Sequence, residues 1–236
     1  MADYLSDEDQ VERLKRWAKT YGGAVVTGLL LALIVYFGWS YWQKSQHAAR
    51  SIVSAEYQQL QDAYTASEQA PDDQALQTEF LASADRLVKA NPDTAYALHS
   101  LLLQARAAMD REDYAAAEQA LQKAAGQKIK DAGLTQLVQI RLARVQAQQD
   151  QLDAALATLA KVTEPAFAPS AQELKGDILF QQDQLEPAKA AYQAAWDALS
   201  QREEPRELLR IKMEAIGMTV EEVKIASPLI DDGVSS

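Results

Sequence analysis

The hydrophobic residues of the chain are concentrated in one uninterrupted stretch near its N-terminus, residues 22–39. The stretch contains no charged residue, and the aromatic residues Trp39, Tyr41 and Trp42 close it. At the rise of an α-helix these residues extend over about 27 Å, which approaches the ~30 Å hydrocarbon core of a bilayer. A cleaved signal peptide would instead have a shorter apolar region that ends in small residues. The pattern therefore predicts a single transmembrane helix at residues 21–42.

The basic residues around this stretch predict its orientation. Four of them precede it and two follow it: Arg13, Lys15, Arg16 and Lys19, then Lys44 and Arg50. Because positive charge is retained on the cytoplasmic side, residues 1–20 are predicted to be a cytoplasmic tail and the rest to lie across the membrane. Ser6 and Asp9 have the spacing of a capping box, which favours a short amphipathic helix within that tail.

Small residues form a stripe along the predicted span. Ala24, Gly28 and Ala32 are four positions apart, so a helix would place them on one side. Small side chains at this spacing let a second transmembrane helix approach closely. The stripe is a candidate packing surface, and the alternative is that glycine and alanine are simply common in membrane helices.

The remainder of the chain has the periodicity of helices, and residues 43–216 are predicted to form one helical domain. Apolar residues recur every three or four positions in residues 43–70 and again in residues 74–90. Turns that contain proline end both segments. After the second turn, which contains Pro92, Asp93 is predicted to cap the helix that follows.

Small and bulky residues then recur at matching positions in three copies of a helical hairpin. The small positions are Ala105, Ala117 and Ala124, then Ala143 and Ala155, then Gly176, Ala188 and Ala195, with Leu121, Leu159 and Tyr192 as the larger residues. Such a pattern lets paired helices approach closely while the larger residue packs against the next hairpin. In the third copy Ser170 and Glu173 have capping-box spacing, and Pro187 fits the first turn of the second helix.

This spacing resembles the tetratricopeptide repeat. The fold class is therefore predicted to be all-α, with a transmembrane helix followed by a solenoid of tetratricopeptide-like hairpins. In that family the first helix of each hairpin lines a groove, and the resemblance places these residues there: Leu102, Arg106, Met109, Ile140, Arg144, Asp177 and Phe180. The apolar members can contact apolar peptide segments, or they can belong to a core that the preceding helices cover.

Composition limits the chemistry. With 34 acidic and 23 basic residues the formal net charge is −11, which argues against nucleic-acid binding. The chain has no cysteine, and its two histidines, His47 and His99, lack the spacing of metal ligands. No phosphate-binding loop or nucleophile motif occurs, so we expect no catalytic residue, no metal and no cofactor. Residues 217–236, with their Ser-Pro and Asp-Asp-Gly sequences, are predicted to be a disordered tail.

Several runs of sequence also resemble the family of ancillary subunits of the bacterial SecYEG translocon. The runs are residues 9–12, 38–42, 141–146 and 174–177, within a resemblance that extends over residues 5–216. It implies a single-pass inner-membrane protein with a periplasmic repeat domain. It further implies association with SecYEG and with a membrane-anchored periplasmic chaperone of the peptidyl-prolyl isomerase type.

Two interaction functions therefore stay open. In the first, the chain is a periplasmic accessory of the translocon that is anchored in the inner membrane and helps to hand translocated proteins to chaperones. Unfolded secretory proteins are further candidate ligands. A tethered groove would be present at high local concentration beside the channel. In the second, the chain is a membrane-tethered regulator that sequesters a signalling or envelope-assembly factor. An enzyme is disfavoured because no catalytic set of residues is present.

Overall fold

A computed structural model describes the backbone of residues 7–204 and 206–220, and the side chains of residues 11–21, 23, 27–43, 52–204 and 206–220. This part of the chain is helical and contains no strand. The chain divides into two compact units, Met1–Glu56 and Tyr57–Ser236. The helices are α1 (Asp7–Gln69), α2 (Gln74–Ala90), α3 (Ala95–Asp110), α4 (Tyr114–Ala125), α5 (Ala132–Gln148), α6 (Leu152–Leu159), α7 (Ala168–Gln181), α8 (Leu185–Ser200) and α9 (Glu207–Ala215), with a short 3-10 helix at Pro165–Phe167.

The first unit contains the N-terminal part of α1. The large apolar side chains that the structure describes within the predicted span are exposed, among them Leu30, Ile34 and Phe37. Among the residues that the structure describes, no helix is both long enough and apolar enough to cross a membrane. The predicted span includes residues 22 and 24–26, whose side chains lie outside the described part, and Ser6 of the predicted capping box also lies outside it.

The second unit is built from helical hairpins in which chain neighbours pack together. α3 packs on α4, α5 on α6, and α7 on α8. The turn in each of these hairpins contains one acidic residue in the left-handed region: Glu112, Asp150 and Asp183, with φ of 59°, 61° and 59°. The same backbone hydrogen bond of 2.9 Å spans five residues in each turn, from Asp113 N–H to Ala108, from Gln151 N–H to Gln146 and from Gln184 N–H to Leu179. The three hairpins therefore turn in the same way, as a stacked repeat requires.

The small positions of the repeat lie where paired helices touch. Ala117, Ala143, Ala155 and Ala188 are fully buried, in line with the sequence pattern. At Gly176 the paired helices leave no room for a side chain, because a Cβ atom there would lie 2.5 Å from the ring of Tyr192. Only glycine fits at that position while the tyrosine ring keeps its place.

Helix α2 spans Gln74–Ala90, the residues predicted from the periodicity. Its first turn is capped by the side chain of Asp73, which accepts hydrogen bonds from Ala75 N–H and Leu76 N–H. Pro187 also takes its predicted place, in the first turn of α8. There the missing N–H costs nothing, because the first N–H groups of a helix have no partner within it.

The prediction that Asp93 caps α3 is wrong. The cap is Thr94, whose hydroxyl accepts a hydrogen bond from Ala97 N–H at 3.2 Å. Asp93 adopts φ of 58° and is turned away from the helix. Its carboxylate accepts a hydrogen bond from Lys128 N–H at 2.7 Å, so it fastens the α2–α3 turn to the loop after α4.

The predicted capping box of Ser170 and Glu173 is wrong as well. Helix α7 begins at Ala168, so Ser170 lies inside the helix and no side chain caps its first turn. Proline near a helix start needs no N–H partner, which allows α7 to begin before Pro169. Glu173 is instead held by two basic side chains of the C-terminal region, described below.

The described end of the chain packs against the last hairpin. Met218 and Val220 contact a buried cluster that contains Trp196, Leu209 and Met213. Residues 217–220 therefore extend the packed domain beyond the predicted boundary at residue 216. The rest of the predicted tail, residues 221–236, lies outside the described residues.

Candidate functional site

A groove of about 400 Å³ lies in the second unit between α3 and α5. Tyr57 of α1 and Leu121 of α4 complete its wall. Its lining combines apolar and basic side chains and contains no acidic residue among those described: Tyr57, His99, Leu102, Leu103, Ala105, Arg106, Met109, Leu121, Leu134, Leu137, Arg141, Arg144 and Val145.

Helical spacing brings these residues to one place. On α3, Leu102, Arg106 and Met109 follow at intervals of four and three residues and so share a face. On α5, Leu134, Leu137, Arg141 and Arg144 follow at intervals of three, four and three. Two helix faces that each carry leucine beside arginine therefore meet across the groove.

The floor of the groove is continuous with the hydrophobic core. Leu102, Leu121 and Val145 are almost fully buried, and they belong to the cluster that joins α3, α4 and α5. Met109 and Leu134 pack against the same cluster and are partly exposed. Core side chains fix the shape of the floor, while partly exposed ones leave apolar surface for a ligand.

Aromatic rings form one rim of the groove. The ring of Tyr57 lies 5.3 Å from that of Tyr96 and 6.3 Å from that of His99, between ring centroids. Burial raises the pKa of the Tyr57 hydroxyl above its ordinary value, and Tyr96 adds to this effect. Tyr57 therefore stays neutral at physiological pH and offers a hydroxyl beside an apolar ring.

Three arginines, Arg106, Arg141 and Arg144, give the groove its charge. Arg106 has one carboxylate nearby, with 3.7 Å between its Nε and Oδ2 of Asp110, and both side chains are largely exposed. Within the described residues, neither Arg141 nor Arg144 forms an ion pair. Burial lowers the pKa of Arg141, and the positive charges of Arg144 and Arg106 lower it further. The guanidinium group of Arg141 is thus repelled by those of both Arg144 and Arg106.

The structure brings four of the seven predicted groove residues together here. Leu102, Arg106, Met109 and Arg144 line the groove, whereas three others lie elsewhere: Ile140, Asp177 and Phe180. For all seven residues, a role in binding a partner stays a prediction. The sequence reasoning missed Arg141, although its position four residues after Leu137 was a sufficient signal.

The three residues outside the groove have different surroundings. Ile140 is 5 % exposed and belongs to the core cluster of α5, α6 and α7, so the helices that cover it follow it in the chain and do not precede it. Phe180 is 51 % exposed on α7. Asp177 accepts a hydrogen bond from the Tyr192 hydroxyl at 2.8 Å and one from Lys212 Nζ at 2.8 Å.

A second polar cluster joins α7 to the C-terminal region. Arg206 Nη1 donates to one carboxylate oxygen of Glu173 at 2.6 Å, and Lys212 Nζ donates to the other at 2.9 Å. Burial alone would raise the pKa of Glu173, but these two hydrogen bonds outweigh it and hold the pKa below its ordinary value. The carboxylate is therefore charged and fully partnered within the chain.

The small-residue stripe of the predicted span is described in part. A Cβ atom added at Gly28 would meet nothing within 4 Å, and Ala32 is exposed, while the side chain of Ala24 lies outside the described residues. Over the described part of the chain, no group of three or more acidic or histidine side chains could hold a metal ion. The groove offers apolar contact and positive charge, which suits binding.

Comparison with known proteins agrees with this architecture. The model of a tetratricopeptide repeat-like domain matches residues 15–218. The ancillary SecYEG translocon subunit of Haemophilus influenzae is 34 % identical over 204 residues, which cover 86 % of this chain and 95 % of the relative. The chain belongs to this family.

Two further members show the same extent of similarity. The ancillary SecYEG translocon subunits of Aggregatibacter actinomycetemcomitans and Escherichia coli are 33 % and 32 % identical, over 91 % and 89 % of their own lengths. No solved structure matches the chain. The family resemblance inferred from the sequence and the all-α, tetratricopeptide-like fold are confirmed.

Proposed function

We propose that this family member is a single-pass inner-membrane protein that holds a protein-binding groove beside the translocon. In this proposal residues 1–20 are cytoplasmic, residues 21–42 span the membrane, residues 43–220 form the periplasmic repeat domain and residues 221–236 form its tail. The apolar stretch and the excess of basic residues before it support the anchor and the orientation. The family's name supports a location beside the translocon.

The groove between α3 and α5 carries the proposal. It joins partly exposed apolar side chains to a rigid floor, which is the usual composition of a peptide-binding site in a helical repeat protein. The ligands we propose are a membrane-anchored periplasmic chaperone of the peptidyl-prolyl isomerase type and unfolded secretory proteins. The accessory subunit would thereby help to pass emerging chains from the channel to chaperones.

The orientation is tested with protease on intact spheroplasts. The proposal expects the repeat domain to be digested from outside, because the domain would lie in the periplasm. A repeat domain that survives until the spheroplasts are lysed contradicts the proposal.

Crosslinking tests the partner of the predicted span. A photoreactive residue in place of Leu31, which a helix places beside the small-residue stripe, should form adducts with channel subunits. Adding Gly28→Ile to this chain should reduce their yield because it blocks close helix approach. A photoreactive residue combined with Leu30→Ile serves as the matched control, since this change leaves the small-residue stripe intact. Adducts with a signalling or envelope-assembly factor alone would favour the alternative function of a tethered regulator.

The groove itself is tested with Met109→Asp and Leu137→Asp combined. Because buried carboxylates oppose apolar contact, the double variant should lose binding to the chaperone copurified from native membranes. Leu208→Asp is the control, because Leu208 is 58 % exposed on α9 and lies outside the groove. Circular dichroism checks that the variants fold. A folded double variant that still copurifies the chaperone in normal amounts would overturn the groove as its binding site.

A further inference from the structure

The charge of the groove is opposite to that of the chain. The formal net charge is −11, yet the described lining of the groove has three arginines and no acidic residue. A chain that is acidic elsewhere gains nothing in solubility from positive charges gathered around an apolar floor. Their concentration therefore calls for a ligand-based explanation.

The arginines are also poorly satisfied within the chain. Arg106 has only the distant and exposed carboxylate of Asp110, at 3.7 Å. Arg141 and Arg144 have no ion-pair partner among the described residues. Burial lowers the pKa of Arg141, and the positive charges of Arg144 and Arg106 lower it further. A ligand with carboxylates would remove this repulsion and supply charge-assisted hydrogen bonds that the fold leaves unmade.

The size of the groove limits what can enter it. About 400 Å³ accommodates a short segment of chain and excludes a folded domain. A flat bilayer surface would reach the rim and not the floor of Leu102 and Leu121, which are almost fully buried. Both the floor and the arginines are used only if the ligand presents apolar and acidic side chains on one narrow face.

We infer that the groove binds an acidic amphipathic segment of a partner protein, with its apolar side chains on the floor and its carboxylates at Arg106, Arg141 and Arg144. This inference rests on the proposed function, because it names the chemistry of the ligand in that same groove. The partner is thus selected by the sign of its charge as well as by its apolar face.

Two labelled peptides of about four helical turns test the inference. Both have leucines at the same positions, and the remaining positions are glutamate in one and lysine in the other. Binding to the full-length chain in mild detergent is followed by fluorescence anisotropy at low and high salt. We expect the acidic peptide to bind at least about tenfold more tightly at low salt, and the difference to shrink as salt screens it.

Matched variants assign the preference to the groove. Arg106→Gln, Arg141→Gln and Arg144→Gln combined should weaken acidic-peptide binding about tenfold or more. The control combines Arg86→Gln, Lys89→Gln and Lys123→Gln, which removes the same charge outside the groove and should change binding by less than about twofold. Equal losses in both variants would mean that the overall charge, and not the groove, attracts the peptide, and this would overturn the inference.

Other outcomes separate the inference from the proposed function. If both peptides bind equally and Met109→Asp with Leu137→Asp abolishes binding, the groove stands and acidic selection fails. If that double variant binds like the wild type, the groove itself fails. Displacement of the acidic peptide by phosphatidylglycerol vesicles would identify a lipid headgroup as the ligand. If a chain shortened to residue 220 binds the acidic peptide more than about tenfold more tightly, residues 221–236 are the occupant of the groove. Either of these two results would contradict the inference that the groove binds a partner protein.

Discussion

The groove between α3 and α5 and the junction of α7 with α9 differ in how their charged side chains are paired. Arg106, Arg144 and Asp177 occupy equivalent positions in the three hairpins. In the first two hairpins the charge is positive: Arg106 has one exposed carboxylate at 3.7 Å, and Arg144 forms no ion pair among the described residues. In the third it is negative and accepts hydrogen bonds from Lys212 and Tyr192. The charge in the third hairpin is therefore paired within the chain, whereas the charges in the first two hairpins are available to a ligand.

This difference separates stability from binding. At the α7–α9 junction Glu173 is buried, and its two oxygens are bonded to Arg206 and Lys212, so loss of either partner leaves a buried carboxylate short of a donor. In the groove, loss of an arginine removes repulsion and leaves no buried carboxylate without a donor, because Asp110 beside Arg106 is exposed. We therefore expect changes at the junction to destabilise the end of the domain, and changes of the groove arginines to act mainly on binding.

The largest expected effect is at the closest helix contact of the third hairpin. Gly176→Ala places a Cβ atom 2.5 Å from the Tyr192 ring, so the ring or the helix must move. Overpacking of this kind costs about 1–3 kcal/mol, and we expect the upper part of that range in urea unfolding. The second hairpin supplies a rescue, because it has alanine and leucine at the equivalent positions. Gly176→Ala with Tyr192→Leu should regain stability over Gly176→Ala alone, and a further loss would contradict the packing argument.

Lys212→Met is expected to have the next largest effect. It removes one donor to Glu173 and one to Asp177, which should cost about 1–2 kcal/mol of the free energy of unfolding. In a chain with Trp17, Trp39 and Trp42 replaced by phenylalanine, the fluorescence of Trp196 reports on this region, because its side chain packs in the cluster that contains Leu209 and Met213. Arg210→Met is the matched control on the same helix, since Arg210 pairs only with exposed glutamates of α9. Equal effects of the two variants would show that the junction does not depend on the buried carboxylate.

Acid should weaken the same junction. The pKa of Glu173 is lower in the folded chain than its ordinary value, so its contribution to stability is present above about pH 4.3. That contribution is lost as the pH falls through the lower, folded-state pKa. Unfolding followed by Trp196 fluorescence between about pH 6 and pH 3 should show this loss. Glu173→Gln should be less stable than the wild type at neutral pH, and its free energy of unfolding should change less with pH across this range. If the variant shows the same pH dependence as the wild type, other carboxylates cause the acid sensitivity.

The sequence was sufficient for the local structure of the repeat but not for the α7–α9 junction. Turn residues at both ends define α2, and small residues mark the contacts inside each hairpin, because these signals act over a few residues. Glu173 was interpreted as a cap because its spacing to Ser170 was right. Its actual partners are 33 and 39 residues away, and nothing local in the sequence indicates them.

The groove, too, was predictable only in part. The repeat register found Leu102, Arg106, Met109 and Arg144, because equivalent positions on stacked helices share a face. It also selected Ile140, which the adjoining hairpin covers, so the register alone did not separate floor from core. Which residues stay exposed depends on how neighbouring hairpins pack, and this is a property of the assembled domain.

The smallest expected effect on stability is also the one that best separates the two regions. Arg141→Gln relieves repulsion from Arg106 and Arg144, and after solvent screening this should raise the free energy of unfolding by a few tenths of a kcal/mol at most. The same change should weaken binding of the acidic peptide, because one carboxylate loses its partner. Urea unfolding and anisotropy on one preparation measure both quantities. A variant that loses stability, or that binds the peptide as tightly as the wild type, would mean that Arg141 serves the fold in the way Lys212 does.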